Sequence, residues 1–129
     1  MITIDLRDKR PIYLQVIEGI EDLAIKGVLK PQEQLPSVRN LAMELSLNPN
    51  TIQRAYLELE KKGTTYSIQG KGSFISDNQI MLTSEKKETL HKDLKLLVAS
   101  AKMLGVEETE FVEWVDGYYH GKGDVIKND

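Results

Sequence analysis

The sequence predicts a mainly α-helical fold carrying one small β-hairpin, and three observations predict it. The stretch Leu35–Leu59 holds two amphipathic segments back to back. Val38, Leu41, Ala42 and Leu45 recur at i, i+3, i+4 and i+7, and Ile52, Ala55, Tyr56 and Leu59 repeat that spacing, the mark of one apolar face on each of two helices. From Thr64 the pattern changes to a period of two around Gly70-Lys71-Gly72, which reads as two strands and a tight turn. Further on, Leu90, Leu94, Leu97, Ala101 and Leu104 alternate spacings of four and three, the seam of packed helices.

The elements follow in order. Ile2, Ile4 and Leu6 alternate with polar residues and predict a short strand or extended arm. Arg7 to Arg10 reads as a charged loop. Pro11 opens a helix with Tyr13, Val16, Ile17, Ile20, Leu23 and Ala24 at helical spacing; Glu18, Glu21 and Asp22 take the opposite face, and Gly27 ends it. Val28 to Leu35 is expected to be a turn. Ser37 is placed to cap the second helix. The break Ser46-Leu47-Asn48-Pro49 has the length of a helix-turn-helix connection. Asn48 can cap the third helix, and Pro49 sits where its missing N–H costs nothing. That helix runs to about Lys62, with Gly63 as its cap and Lys61 and Lys62 at the negative end of its dipole. Strands over Thr65–Gln69 and Ser73–Ser76 form a wing. Three helices and a wing make a winged helix-turn-helix domain over 1–77. Asp77-Asn78-Gln79 reads as a linker, and 78–129 as two helices broken at Gly105, with a frayed tail from Gly121.

Composition bounds the function. The chain has 129 residues, 40% hydrophobic and 29% charged, and no cysteine. Disulfides and thiolate metal sites are therefore excluded. No apolar run approaches a membrane span, and the N-terminus has no apolar signal core, so a cytoplasmic protein is expected. The net charge of −3 divides unevenly. Residues 1–77 carry ten Lys/Arg and ten Asp/Glu, whereas residues 78–129 carry seven Lys and ten Asp/Glu. Nucleic-acid binding needs a basic face rather than a basic protein, and this distribution permits one.

The first turns of the third helix present Asn50, Thr51, Gln53 and Arg54, the residue types that read base edges and hold phosphates. Arg54 has a second possible role, an i,i+4 pair with Glu58. The last two helices cannot bury much surface alone. Their apolar side must pack on the chain's own winged domain or on the same hairpin of a second copy; the long seam and the linker favour the second, with Leu90, Leu94, Leu97, Ala101, Leu104, Phe111, Val115 and Tyr118 as the expected contact and Trp114, Tyr118 and Tyr119 as an aromatic cluster in it. Glu107, Glu108, Glu110, Glu113 and Asp116 form a solvated face. Some forty residues in this form leave little room for a ligand pocket, so no small-molecule effector domain is expected. His91 and His120 have no metal-ligand context, and no metal or cofactor is expected. Nor is there a nucleophile–base set. Gly70–Phe74 lacks the spacing of a phosphate loop.

Across Pro11–Ile75 the chain resembles the GntR family of bacterial transcription regulators, and within it the YtrA-like subfamily with a short C-terminal helical hairpin. The matching motifs are PIYLQVIEGI at Pro11–Ile20, LPSVRNLAMEL at Leu35–Leu45, NPNTIQRAYLELEKKG at Asn48–Gly63 and GKGSFI at Gly70–Ile75. The resemblance implies a dimeric, sequence-specific DNA-binding repressor on a palindromic operator. It implies DNA contacts at Ser37 and Arg39, at Asn48, Asn50, Thr51, Gln53 and Arg54, and at the wing tip, Gln69, Gly70, Lys71 and Gly72. Arg39 alternatively pairs with Glu44 or another acid, and the two glycines also serve the turn itself. Two departures stand out: Thr64-Thr65 where apolar residues are usual, which predicts a loosely packed wing base, and Gln69 where a basic residue is common. The rival to this reading is a winged-helix assembly module that binds protein rather than DNA.

Overall fold

In the computed structural model, which describes residues 2–121, the element order is α1 (Ile12–Ile25), α2 (Val38–Leu45), α3 (Pro49–Lys61), β1 (Thr65–Ile68), β2 (Gly72–Ile75), α4 (Gln79–Met103) and α5 (Glu108–Tyr119). The chain divides into two compact units, Met1–Lys86 and Lys87–Asp129.

The first unit is built on the apolar periodicity. Val16, Ile17, Ile20 and Ala24 of α1, Leu41 and Ala42 of α2, Ile52, Ala55, Tyr56 and Leu59 of α3, and Ile75 of β2 form one buried cluster with Leu29 and Leu35. Burying such side chains is the main favourable term in folding. The helix caps are those the sequence predicts. Ser37 Oγ accepts the Asn40 N–H at 3.1 Å, and Asn48 Oδ1 accepts the Asn50 N–H at 2.8 Å, with Pro49 in the first turn of α3. Between them Ser46 takes the left-handed conformation (φ 56°) and lets the chain turn sharply.

β1 and β2 pair antiparallel, with Thr65 opposite Ile75 and Ile68 opposite Gly72. Tyr66 and Phe74 face each other across the ladder and stack, ring centroids 5.6 Å apart. Gly70 and Gly72 both have positive φ, so the turn does need them.

Four sequence expectations change, and one alternative is resolved: the N-terminal residues take the extended arm rather than the strand, held on α1 by a two-way amide clamp. Gln15 Oε1 accepts the Asp5 N–H at 2.7 Å, and Gln15 Nε2 donates to Asp5 O at 2.9 Å. The segment expected as a turn ends by running along β2: Gln32 N–H donates to Ile75 O, Ile75 N–H to Glu33 O, and Leu35 N–H to Ser73 O. Glu21 is not on a solvated face. It is buried, 2% exposed, because two lysines reach it: Lys62 Nζ at 2.5 Å and Lys86 Nζ at 3.2 Å. The wing base is not loose, since Thr64 and Thr65 are both buried. The expected linker is anchored as well. Asn78 Nδ2 donates to Gly63 O at 2.7 Å, Ser76 Oγ donates to the same carbonyl, and α4 begins at Gln79. The first unit accordingly runs past Asp77 to Lys86, with Leu82 buried.

In the second unit α4 continues to Met103 and α5 follows the connection Leu104–Glu107. Gly105 has positive φ, and the Val106 N–H donates to Ala101 O. Ala101 is buried, yet α5 buries none of its residues. The tail expected to fray beyond Gly121 lies outside the described residues.

Candidate nucleic-acid interface

The interface is built on α3. Its apolar stripe, Ile52, Ala55, Tyr56 and Leu59, is buried. At 3.6 residues per turn this turns Asn50, Gln53, Arg54, Leu57 and Lys61 outward together, and all five are exposed, with Thr51 half-buried beside them. Leu57 is the member the sequence reading missed. Its position follows from the same periodicity, although an apolar side chain is not itself a base-reading type.

α2 supplies the second part. Ser37 and Arg39 are exposed at its start, where free N–H groups and the dipole favour an anion. Tyr56 fixes this start relative to α3, because its buried hydroxyl donates to Pro36 O at 2.7 Å. Burial, with the Glu44 carboxylate adding to it, pushes the Tyr56 phenol well above its ordinary range.

The wing supplies the third. Gln69, Gly70, Lys71 and Gly72 form an exposed tip. Gln34, which no sequence pattern singles out, ties that tip to the segment before α2: its Nε2 donates to Lys71 O at 2.6 Å. A Cβ on Gly72 would stand 3.1 Å from that nitrogen, so the small residue also admits the clamp.

Charge pairing separates the cations of this unit. Arg7 pairs with Asp5, Arg10 with Asp8 and Glu18, Lys61 with Glu58, and Lys62 and Lys86 with Glu21. The Arg10 hydrogen bonds hold the Asp8 carboxyl below the usual carboxylate range. By contrast Arg39, Arg54 and Lys71 have no carboxylate partner among the described residues, so neither Arg39–Glu44 nor Arg54–Glu58 forms. Lys9, Lys26 and Lys30 have no carboxylate partner among the described residues either; Arg39, Arg54 and Lys71 differ from them in place, one on α2, one on α3 and one at the wing tip. Arg54 is held by an aromatic ring instead. Its guanidinium carbon stands 4.0 Å from the centroid of Tyr13, and Nη2 donates to the Tyr13 hydroxyl at 3.2 Å.

No group of three His, Cys, Asp or Glu side chains among the described residues is placed to hold a metal, and no described helix is long and apolar enough to cross a membrane.

This arrangement of capped helix pair and clamped wing, with its charge pattern, defines a winged helix-turn-helix protein of the DNA-binding class. The family model described as "Bacterial regulatory proteins, gntR family" matches residues 12–75. The HTH-type transcriptional repressor YtrA of Bacillus subtilis is 43% identical over 116 residues, covering 89% of each chain. A transcriptional regulator from Oenococcus oeni has a similar structure, with TM-score 0.75 and 33% identity over 92% of this chain and 99% of that one. YtrA from Sulfolobus acidocaldarius, a GntR-family transcription factor, aligns with TM-score 0.56 and 36% identity over 70% of this chain and 97% of that one. The protein belongs to the GntR family of bacterial transcription regulators.

Proposed function

We propose that this regulator is a cytoplasmic homodimeric repressor that covers a palindromic operator with two α3 helices in the major groove and two wings in flanking minor grooves. The observation that carries the reading is the unpaired set Arg39, Arg54 and Lys71 around the exposed stripe of α3. Phosphate contacts from Ser37, Asn48 and Lys71 would set the register. Base contacts from Arg39, Asn50, Thr51 and Gln53 would set the sequence read, with the wing backbone at Gln69, Gly70 and Gly72 close to the minor groove.

The dimer reading rests on the second unit. Leu90, Leu94, Leu97, Leu104, Val115 and Tyr118 are exposed along α4 and α5, and Phe111 is half-covered, its ring 5.9 Å from that of Trp114. So large an apolar display marks an interaction surface, and a two-fold pairing would bring two readers to two half-sites.

Sedimentation of the full chain tests the assembly, and fragments selected from genomic DNA test the target. A dimer that retains specific fragments at moderate salt is expected, with Leu94→Asp/Leu97→Asp monomeric and weak on the same fragments. A monomeric wild type, or equal binding to unselected DNA, would contradict the reading.

A further inference from the structure

We propose that Tyr13 of α1 is a positioning residue of the DNA site, holding Arg54 of α3 ready to fork a backbone phosphate. The inference rests on the DNA-binding reading above and adds a third helix to the site. Two contacts of different kinds join the residues: the guanidinium carbon lies 4.0 Å from the ring centroid, and Nη2 donates to the hydroxyl at 3.2 Å. Tyr13 is itself half-buried and packs on the core cluster, so it is a fixed base rather than a second mobile side chain.

The chemistry of arginine makes this consequential. A free arginine loses much rotamer freedom when it docks. One stacked on a ring has met part of that cost before DNA arrives, and its plane is already set. The ring and hydroxyl occupy one face and one N–H. The remaining N–H groups point to no acceptor among the described residues, and a planar fork of donors matches two phosphate oxygens. No carboxylate competes for it: Glu58, the acid one turn on, pairs with Lys61 at 3.6 Å. The role is phosphate-holding rather than base-reading. The tether pulls Arg54 toward α1 and so toward one edge of the α3 stripe, with Asn50 nearer its middle.

The test uses the full chain and a selected operator fragment, with an unselected duplex alongside. Tyr13→Leu removes ring and hydroxyl, Tyr13→Phe keeps the ring, and Arg54→Ala removes the cation. Tyr13→Leu and Arg54→Ala should each weaken operator binding by about fivefold, and the double variant by no more than the larger single effect. The unselected duplex should weaken in the same ratio, because phosphates are common to both. Arg54→Ala should also flatten the plot of log affinity against log salt by about one unit, while Tyr13→Leu, which keeps the charge, leaves more of that slope. Tyr13→Phe should recover part of the loss. Multiplying losses of about 25-fold in the double variant would overturn the proposal, as would a Tyr13→Leu variant that melts early yet binds DNA normally once folded. If the wild-type chain retained neither duplex, the DNA-binding reading itself would fall, which is a separate outcome.

Discussion

Lys62, at the end of α3, sets its ammonium 2.5 Å from the carboxylate of Glu21, a side chain that α1 holds 2% exposed in the floor of the winged domain. Lys86, from the start of α4, reaches the other oxygen at 3.2 Å, and Thr64 Oγ1 lies at 3.5 Å. One buried acid therefore joins α1, the end of α3 and the first turns of α4. A buried carboxylate is tolerated when paired and costly when stranded. Lys62→Met/Lys86→Met should destabilise the chain by about 3 kcal/mol, read by denaturant unfolding. Adding Glu21→Met to that pair should restore most of the loss. If the double variant unfolded like wild type, the acid would not depend on these lysines.

The wing tip is tied from behind by Gln34, whose Nε2 donates to Lys71 O. Lys71→Ala should weaken binding to every duplex and lower the salt slope by about one unit. Gln34→Ala leaves the charge in place and releases its holder, so it should weaken binding with the slope kept. Titrations at four salt concentrations separate the two. An unchanged slope in Lys71→Ala would place the wing off the DNA.

Thr65 carries a buried hydroxyl without a hydrogen-bond partner among the described residues. A polar group left in that state costs more than an apolar one of the same shape. Thr65→Val should therefore stabilise the chain by about 1 kcal/mol, seen as a raised melting temperature with DNA binding unaltered. A lower melting temperature would mean that the hydroxyl is satisfied in solution.

Arg39 lies in the first turn of α2, two residues after the Ser37 cap, and no acid pairs with it among the described residues. Arg39→Ala should cost about 1–3 kcal/mol on selected fragments and less on unselected ones. Equal losses on both would reduce it to a phosphate contact.

Much of this was legible in the residues because it is local. The helix caps at Ser37 and Asn48, the apolar stripes of α1 to α3 and the glycines of the wing turn each follow from spacing over one or two turns of chain. What could not be read joins residues far apart in sequence. Glu21 looked solvated because its lysines come from two later helices, each about forty or more positions on. Arg54 had an acid at helical spacing, and only the packing of α1 on α3 shows that it takes Tyr13 instead. Gln34 gave no local sign of clamping a turn 37 positions away. Ion-pair alternatives at Arg39 and Arg54 were open in sequence, and geometry closes them. The apolar seam of α4 was legible as a pattern, but a pattern does not say what covers it.

Footprinting of the full chain on a fragment selected from genomic DNA decides whether two winged domains act as one reader. Two protected half-sites related by a dyad are expected, their centres one helical turn (about 34 Å) or a multiple apart, with two chains bound per fragment. A single protected half-site holding one chain, or protection spread evenly along the fragment, would contradict that reading.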